Sequence, residues 1–138
     1  MEHKPLILYV EDDAMNRALV KRVLEHRGYM VEVAEDGPTG LQWARALRPD
    51  LILMDIGMPG TNGYEATKLI KADPQLAAIP VIALTAYAMR GDRERALEAG
   101  CDGYIPKPID VATFPAQVER YLRLAAPLPA APGASSGR

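Results

Sequence analysis

Five short apolar runs, each separated from the next by a segment of helical composition, constrain this chain more than any single residue does. The runs fall at Leu6 to Val10, Met30 to Ala34, Leu51 to Met54, Pro80 to Leu84 and Gly103 to Ile105. Helical composition marks Asp13 to Arg27, Gly37 to Leu47, Gly63 to Ala72, Ala88 to Ala99 and Val111 to Leu124. In the first helical segment Leu19, Val20, Val23 and Leu24 form one stripe, and Gly28 stands where a left-handed cap closes a helix. An unbroken apolar run reads as a strand buried on both faces, and regular β-α alternation with short connections calls for parallel strands joined by crossover helices. The expected class is α/β, a doubly wound parallel sheet with helices on both faces. At 138 residues and 49% hydrophobic composition, one domain has ample material for its core.

The chemistry sits where the runs end. Leu51-Ile52-Leu53-Met54 runs directly into Asp55 and then into the Gly/Pro-rich Ile56-Gly57-Met58-Pro59-Gly60, which reads as a loop. The first run ends likewise in Glu11-Asp12-Asp13, the fourth in Thr85, and the fifth leads through Pro106 to Lys107. An open α/β sheet binds ligands beyond the carboxyl ends of its strands, so these residues share one edge. Carboxylates crowded there repel unless a cation sits among them, and hard oxygen donors suit magnesium. The metal, Thr85 and Lys107 would each stabilise added negative charge on an oxygen carried by Asp55, as an aspartyl phosphate requires. Taken singly each residue has a plainer reading: Lys107 a surface lysine, Thr85 a strand-end residue, Glu11 a solvated charge, Asp55 a loop cap, Tyr104 a core or rim aromatic. Met15, beside Leu19, is either a core or boundary residue or a contact for a phosphodonor. Phe114, Val118, Tyr121 and Leu122 read as core.

Across residues 4–124 the chain resembles the receiver domains of two-component response regulators. The resemblance is carried by Val10-Glu11-Asp12-Asp13, Met54-Asp55-Ile56-Gly57-Met58-Pro59-Gly60, Leu84-Thr85-Ala86 and Tyr104-Ile105-Pro106-Lys107-Pro108. More narrowly, Thr85 to Asp92 and Gly100-Cys101 look like stand-alone DivK-type regulators, and like receivers appended to hybrid histidine kinases. The resemblance implies a flavodoxin-like, five-stranded sheet in the order 2-1-3-4-5. It implies that Asp55 accepts a phosphoryl group from a phosphohistidine on a histidine kinase or histidine phosphotransfer protein. Magnesium would be held by Asp12 directly, by Glu11 through water, by Asp55 and by the Gly57 carbonyl; Glu11 stands where many relatives have Asp. Lys107 and Thr85 would bind phosphoryl oxygens, Tyr104 would be the switch aromatic, and the small Ala86 would leave the phosphoryl group accessible. A cis Lys107–Pro108 peptide is implied too, as is a downstream protein partner on the fourth helix, fifth strand and fifth helix.

Composition removes other classes. The formal net charge of -2 and pI near 5.7, with scattered basic residues, give no general attraction for nucleic acid, which is not expected as a direct partner. The single Cys101 can form neither an internal disulfide nor a zinc site. No stretch approaches the roughly 20 apolar residues that span a bilayer, and Met1 to Pro5 lacks the apolar core of a signal peptide. The chain is expected to be soluble and cytoplasmic, with a receiver domain over residues 1–124. The Ala/Pro/Gly/Ser-rich residues 125–138 offer little large apolar surface and are expected to be disordered, a linker stub or docking peptide being the alternatives. A magnesium-dependent phosphatase with an Asp nucleophile would want a second carboxylate two residues beyond it, where Gly57 stands. A flavin-binding module would want a phosphate-cradling Gly-rich loop after the first run, where this chain has acids.

Overall fold

The structure, a computed structural model, describes residues 4–56, 63–85 and 91–125, apart from the side chains of residues 92, 93 and 125. The expectations for Gly57, Ala86 and the segment 126–138 lie outside the described residues. Five strands, β1 (Leu6–Val10), β2 (Met30–Ala34), β3 (Leu51–Asp55), β4 (Val81–Thr85) and β5 (Gly103–Pro106), alternate with α1 (Ala14–His26), α2 (Gly37–Leu47), α3 (Gly63–Ala72), α4 (Asp92–Ala99) and α5 (Phe114–Ala125). All strand pairs are parallel and the order is β2-β1-β3-β4-β5, as the resemblance implied.

The strands read as continuous apolar runs because alternate residues enter two different cores. Ile7 and Tyr9, Leu51 and Leu53, and Ile82 and Leu84 pack with Val20 and Leu24 of α1 and with Phe114 and Val118 of α5. Leu8 and Val10, Ile52 and Met54, and Val81 and Ala83 pack instead with Ala44 of α2, Ala66 and Ile70 of α3 and Ala96 of α4. Helices α1 and α5 thus cover one face, and α2, α3 and α4 the other.

Local signals set most boundaries. Asp13 caps α1, its Oδ1 accepting from the Met15 N–H at 2.9 Å, and Gly28 after the helix adopts φ 96°. The expected apolar stripe of α1 is narrower in the structure: Val20 and Leu24 are buried and Val23 half-buried, but Leu19 is 41% exposed. At about 100° per residue it lies beyond the buried edge that Val20 defines. Met15 is 80% exposed, which removes its core reading. The expected start of α5 at Val111 is also corrected. Asp110 first makes a turn, its Oδ1 accepting from Ala112 N and its carbonyl from Phe114 N, so the helix begins at Phe114 and runs to Ala125. The Lys107–Pro108 peptide is cis.

Candidate functional site

Register decides what the strand ends bring together. Val10 pairs with Met54, so Glu11 follows beside Asp55, while Asp55 pairs with Leu84 and Thr85 with Pro106. Asp55 and Thr85 are themselves the last residues of β3 and β4, one position inside the expected edge, because the ladder continues through them whatever their polarity. Continuing the alternation, Glu11 and Asp55 extend the Tyr9 and Leu53 rows on the α1/α5 face. Lys107 extends the Ile105 row onto that same face.

The side chains meet there. Lys107 Nζ lies 3.1 Å from Asp55 Oδ2 and 3.6 Å from Glu11 Oε1. Glu11 and Asp55 are buried and Asp12 is exposed, and one carboxylate oxygen of each lies within 4.8 Å of the others. This is a set of hard anionic oxygens around one small volume, open on the Asp12 side, and it fits a hard divalent cation. Thr85, also buried, continues the Val81 and Ala83 row on the opposite face, and its carbonyl accepts from Lys107 N at 2.7 Å. Tyr104 is half-buried against the α2/α3/α4 core, with its carbonyl accepting from the Tyr121 hydroxyl at 3.2 Å.

Glu11 is more tightly held than a solvated charge would be. Its Oε1 accepts from the Tyr9 hydroxyl at 2.7 Å, its Oε2 from Asp13 N at 3.2 Å, and its carbonyl from Arg17 Nη1 at 2.9 Å. Burial pushes its carboxyl above the ordinary glutamate value; the Tyr9 hydrogen bond opposes that shift, nearby Asp55 adds to it and Lys107 offsets it. Burial, followed by the hydrogen bond to Glu11, drives the Tyr9 phenol far above its ordinary value.

Three residues that bear on the site escaped the sequence reading: Tyr9, Arg17 and Gly63. Tyr9 could have been found as a lone phenol in an aliphatic run, two residues before an acid and so on the same strand face. Gly63 marks a helix start in the sequence, yet a Cβ there would lie 2.6 Å from the Asp55 carbonyl oxygen and 2.8 Å from Ile56 Cα. Only glycine lets α3 begin against the end of β3. Nothing in the pattern marked Arg17. Cys101 is buried, and burial pushes its thiol up to about 11, which disfavours the reactive thiolate.

Comparison with known proteins identifies relatives in sequence and in fold. The chain is 46% identical over 116 residues to the polar-differentiation response regulator DivK of Brucella anthropi, a match covering 84% of this chain and 94% of that protein. The chemotaxis protein CheY4 of Vibrio cholerae superposes with a TM-score of 0.81 at 29% identity, covering 86% of this chain and 98% of the other. The receiver domain of a Pseudomonas aeruginosa sensor histidine kinase, solved with magnesium coordinated in its active site cleft, gives 0.77 at 38% identity, with 88% and 97% covered. The response regulator receiver domain model matches residues 7–119, the stretch that carries the five strands, but for Leu6 of β1, and the acids, hydroxyl and ammonium at their ends, and the chain belongs to that family.

Proposed function

We propose that this receiver acts as a magnesium-dependent phosphoryl switch with Asp55 as its acceptor. The observation that carries the reading is the placement of Lys107 Nζ 3.1 Å from Asp55 Oδ2, at a strand end where the oxygens of Glu11, Asp12 and Asp55 converge. An Asp55 oxygen attacks the phosphorus of a phosphohistidine; the P–N bond breaks, the imidazole leaves with its electron pair, and an acyl phosphate remains on Asp55. Lys107, already paired with that carboxylate, remains protonated and shifts its ion pair to a phosphoryl oxygen, and the Thr85 hydroxyl donates to another. Asp12, Glu11 and Asp55, whose carboxylate oxygens converge, would hold magnesium, with Gly57 as the further donor the family resemblance implies. Bound there, the ion supplies charge neutralisation between an anionic donor and the acids.

Met15 and Leu19, exposed on α1 beside the Glu11 to Asp13 turn, offer apolar contact to the donor protein, a histidine kinase or histidine phosphotransfer protein. Output runs through Thr85 and Tyr104, which share the other face, to a protein partner on α4, β5 and α5, in the cytoplasm. Signalling rather than turnover is supported by Gly57, which leaves a phosphatase without its second carboxylate. The test is labelling with acetyl phosphate and magnesium, followed by mass-spectrometric mapping. A single adduct on Asp55 that is lost in Asp55→Asn and in excess chelator is expected; equal labelling of the variant sinks the assignment.

A further inference from the structure

We infer that Tyr9 is a positioning residue for the metal pocket, its hydroxyl fixing the Glu11 carboxylate in the pose from which the acid contributes to cation binding. The inference rests on the magnesium site proposed above and extends it to a residue in the core beneath it. Tyr9 is fully buried, with its ring among Ile7, Val20, Leu53 and Phe114 in the α1/α5 core, so the phenol has little freedom to follow a moving partner. Its hydroxyl donates to Glu11 Oε1 at 2.7 Å, the shortest of that carboxylate's contacts among the described residues. Lys107 Nζ approaches the same oxygen at 3.6 Å, and the backbone N–H of Asp13 reaches the other at 3.2 Å.

Without the phenol oxygen, the firmest anchor of a buried carboxylate is gone. The lysine becomes the dominant partner of Oε1, drawing Glu11 toward Lys107 and competing with Asp55 for the ammonium. A cation must then be bound by a pocket that has first to be reordered. Glutamate is the side chain that this device requires. Its length carries the carboxylate back to the phenol, whereas an aspartate at position 11 is one methylene shorter and falls short of it.

The probe is Mn2+, followed by the electron paramagnetic resonance signal of the free aqua ion as it is titrated with full-length protein and competed with Mg2+. Tyr9→Phe keeps the ring and its packing and should weaken Mn2+ binding about tenfold, the scale seen when a group holding a metal ligand is removed. In a Glu11→Asp background the same Tyr9→Phe change should alter affinity less than twofold, because the contact is already absent. Equal affinity in wild type and Tyr9→Phe overturns the inference and leaves the metal site standing. Equal weakening in both backgrounds also overturns it, since the loss would then be general loosening. A wild-type protein that binds no Mn2+ overturns the inference and the metal site together. Urea midpoints for all four proteins separate loss of fold from loss of the pocket.

Discussion

Replacing Lys107 by Met keeps a stem of similar length and removes the cation shared by two buried acids. The ammonium lies 3.1 Å from Asp55 Oδ2 and 3.6 Å from Glu11 Oε1. At an effective dielectric constant near 20, each contact corresponds to a gross attraction of about 5 kcal/mol, and two unit charges 4.8 Å apart, the outer limit for the Glu11 and Asp55 oxygens, repel by about 3 kcal/mol. Most of that attraction is offset by the cost of desolvating the three groups, so the gross figure is not the expected change. Removing one member of a buried ion pair costs about 3–5 kcal/mol; with the Lys107 side chain 22% exposed, water can enter and the net loss should be nearer 2–3 kcal/mol. The assay is urea unfolding at pH 7, in chelator and again in saturating magnesium. With a urea dependence of about 1–3 kcal/mol per molar for a small domain, the midpoint in chelator should fall by about 1 M or more. Magnesium should recover much of the loss, because a divalent ion replaces the missing charge. An unchanged midpoint in chelator, or a loss that magnesium does not touch, would refute the argument that charge balance governs this edge.

Two further outcomes follow from the same geometry. Because burial raises the Glu11 carboxyl, the folded protein holds a proton there more readily than the unfolded chain does. The resulting penalty is absent below the ordinary glutamate value, grows as pH rises from it to the raised value, and is constant above. In chelator, the stability of Glu11→Gln relative to wild type should therefore increase as pH is raised from about 4.5 toward 7; a pH-independent difference in urea midpoints would contradict the assigned shift. Gly63→Ala should destabilise by about 1–3 kcal/mol, since its methyl group meets backbone and not a yielding side chain. It should also slow acetyl phosphate labelling by displacing Asp55, and an unaltered labelling rate would disconnect α3 from the acceptor.

The candidate site could be read from the chain to the extent that its residues follow apolar runs. A carboxylate, hydroxyl or ammonium directly after a buried strand has only the sheet edge to occupy, which is why the strand-end positions of Glu11, Asp55, Thr85 and Lys107 are legible in the sequence. Strand ends were harder, because the ladder is set by neighbouring strands and continues through Asp55 and Thr85. The start of α5 depends on which groups Asp110 satisfies, a choice that hydrophobic periodicity does not encode. Tyr9 is counted as bulk in an apolar run, and its hydroxyl becomes informative only once the burial of Glu11 is known. The meaning of Gly63 arises from how closely α3 approaches β3, a purely tertiary distance.

The two-core sheet also has a consequence for how such a protein can diversify. Glu11, Asp55 and Lys107 continue rows that belong to the α1/α5 core, whereas Thr85 and Tyr104 continue rows that belong to the α2/α3/α4 core. On the proposed function, a group attached to Asp55 would straddle the rim between the two layers, with its attachment chemistry rooted in one and its readout in the other. Substitutions beneath α1 can then retune how fast the mark is written or erased, while substitutions beneath α4 retune what reads it. Timing and audience can drift separately in one small domain, because each is inherited through a different half of the same five strands.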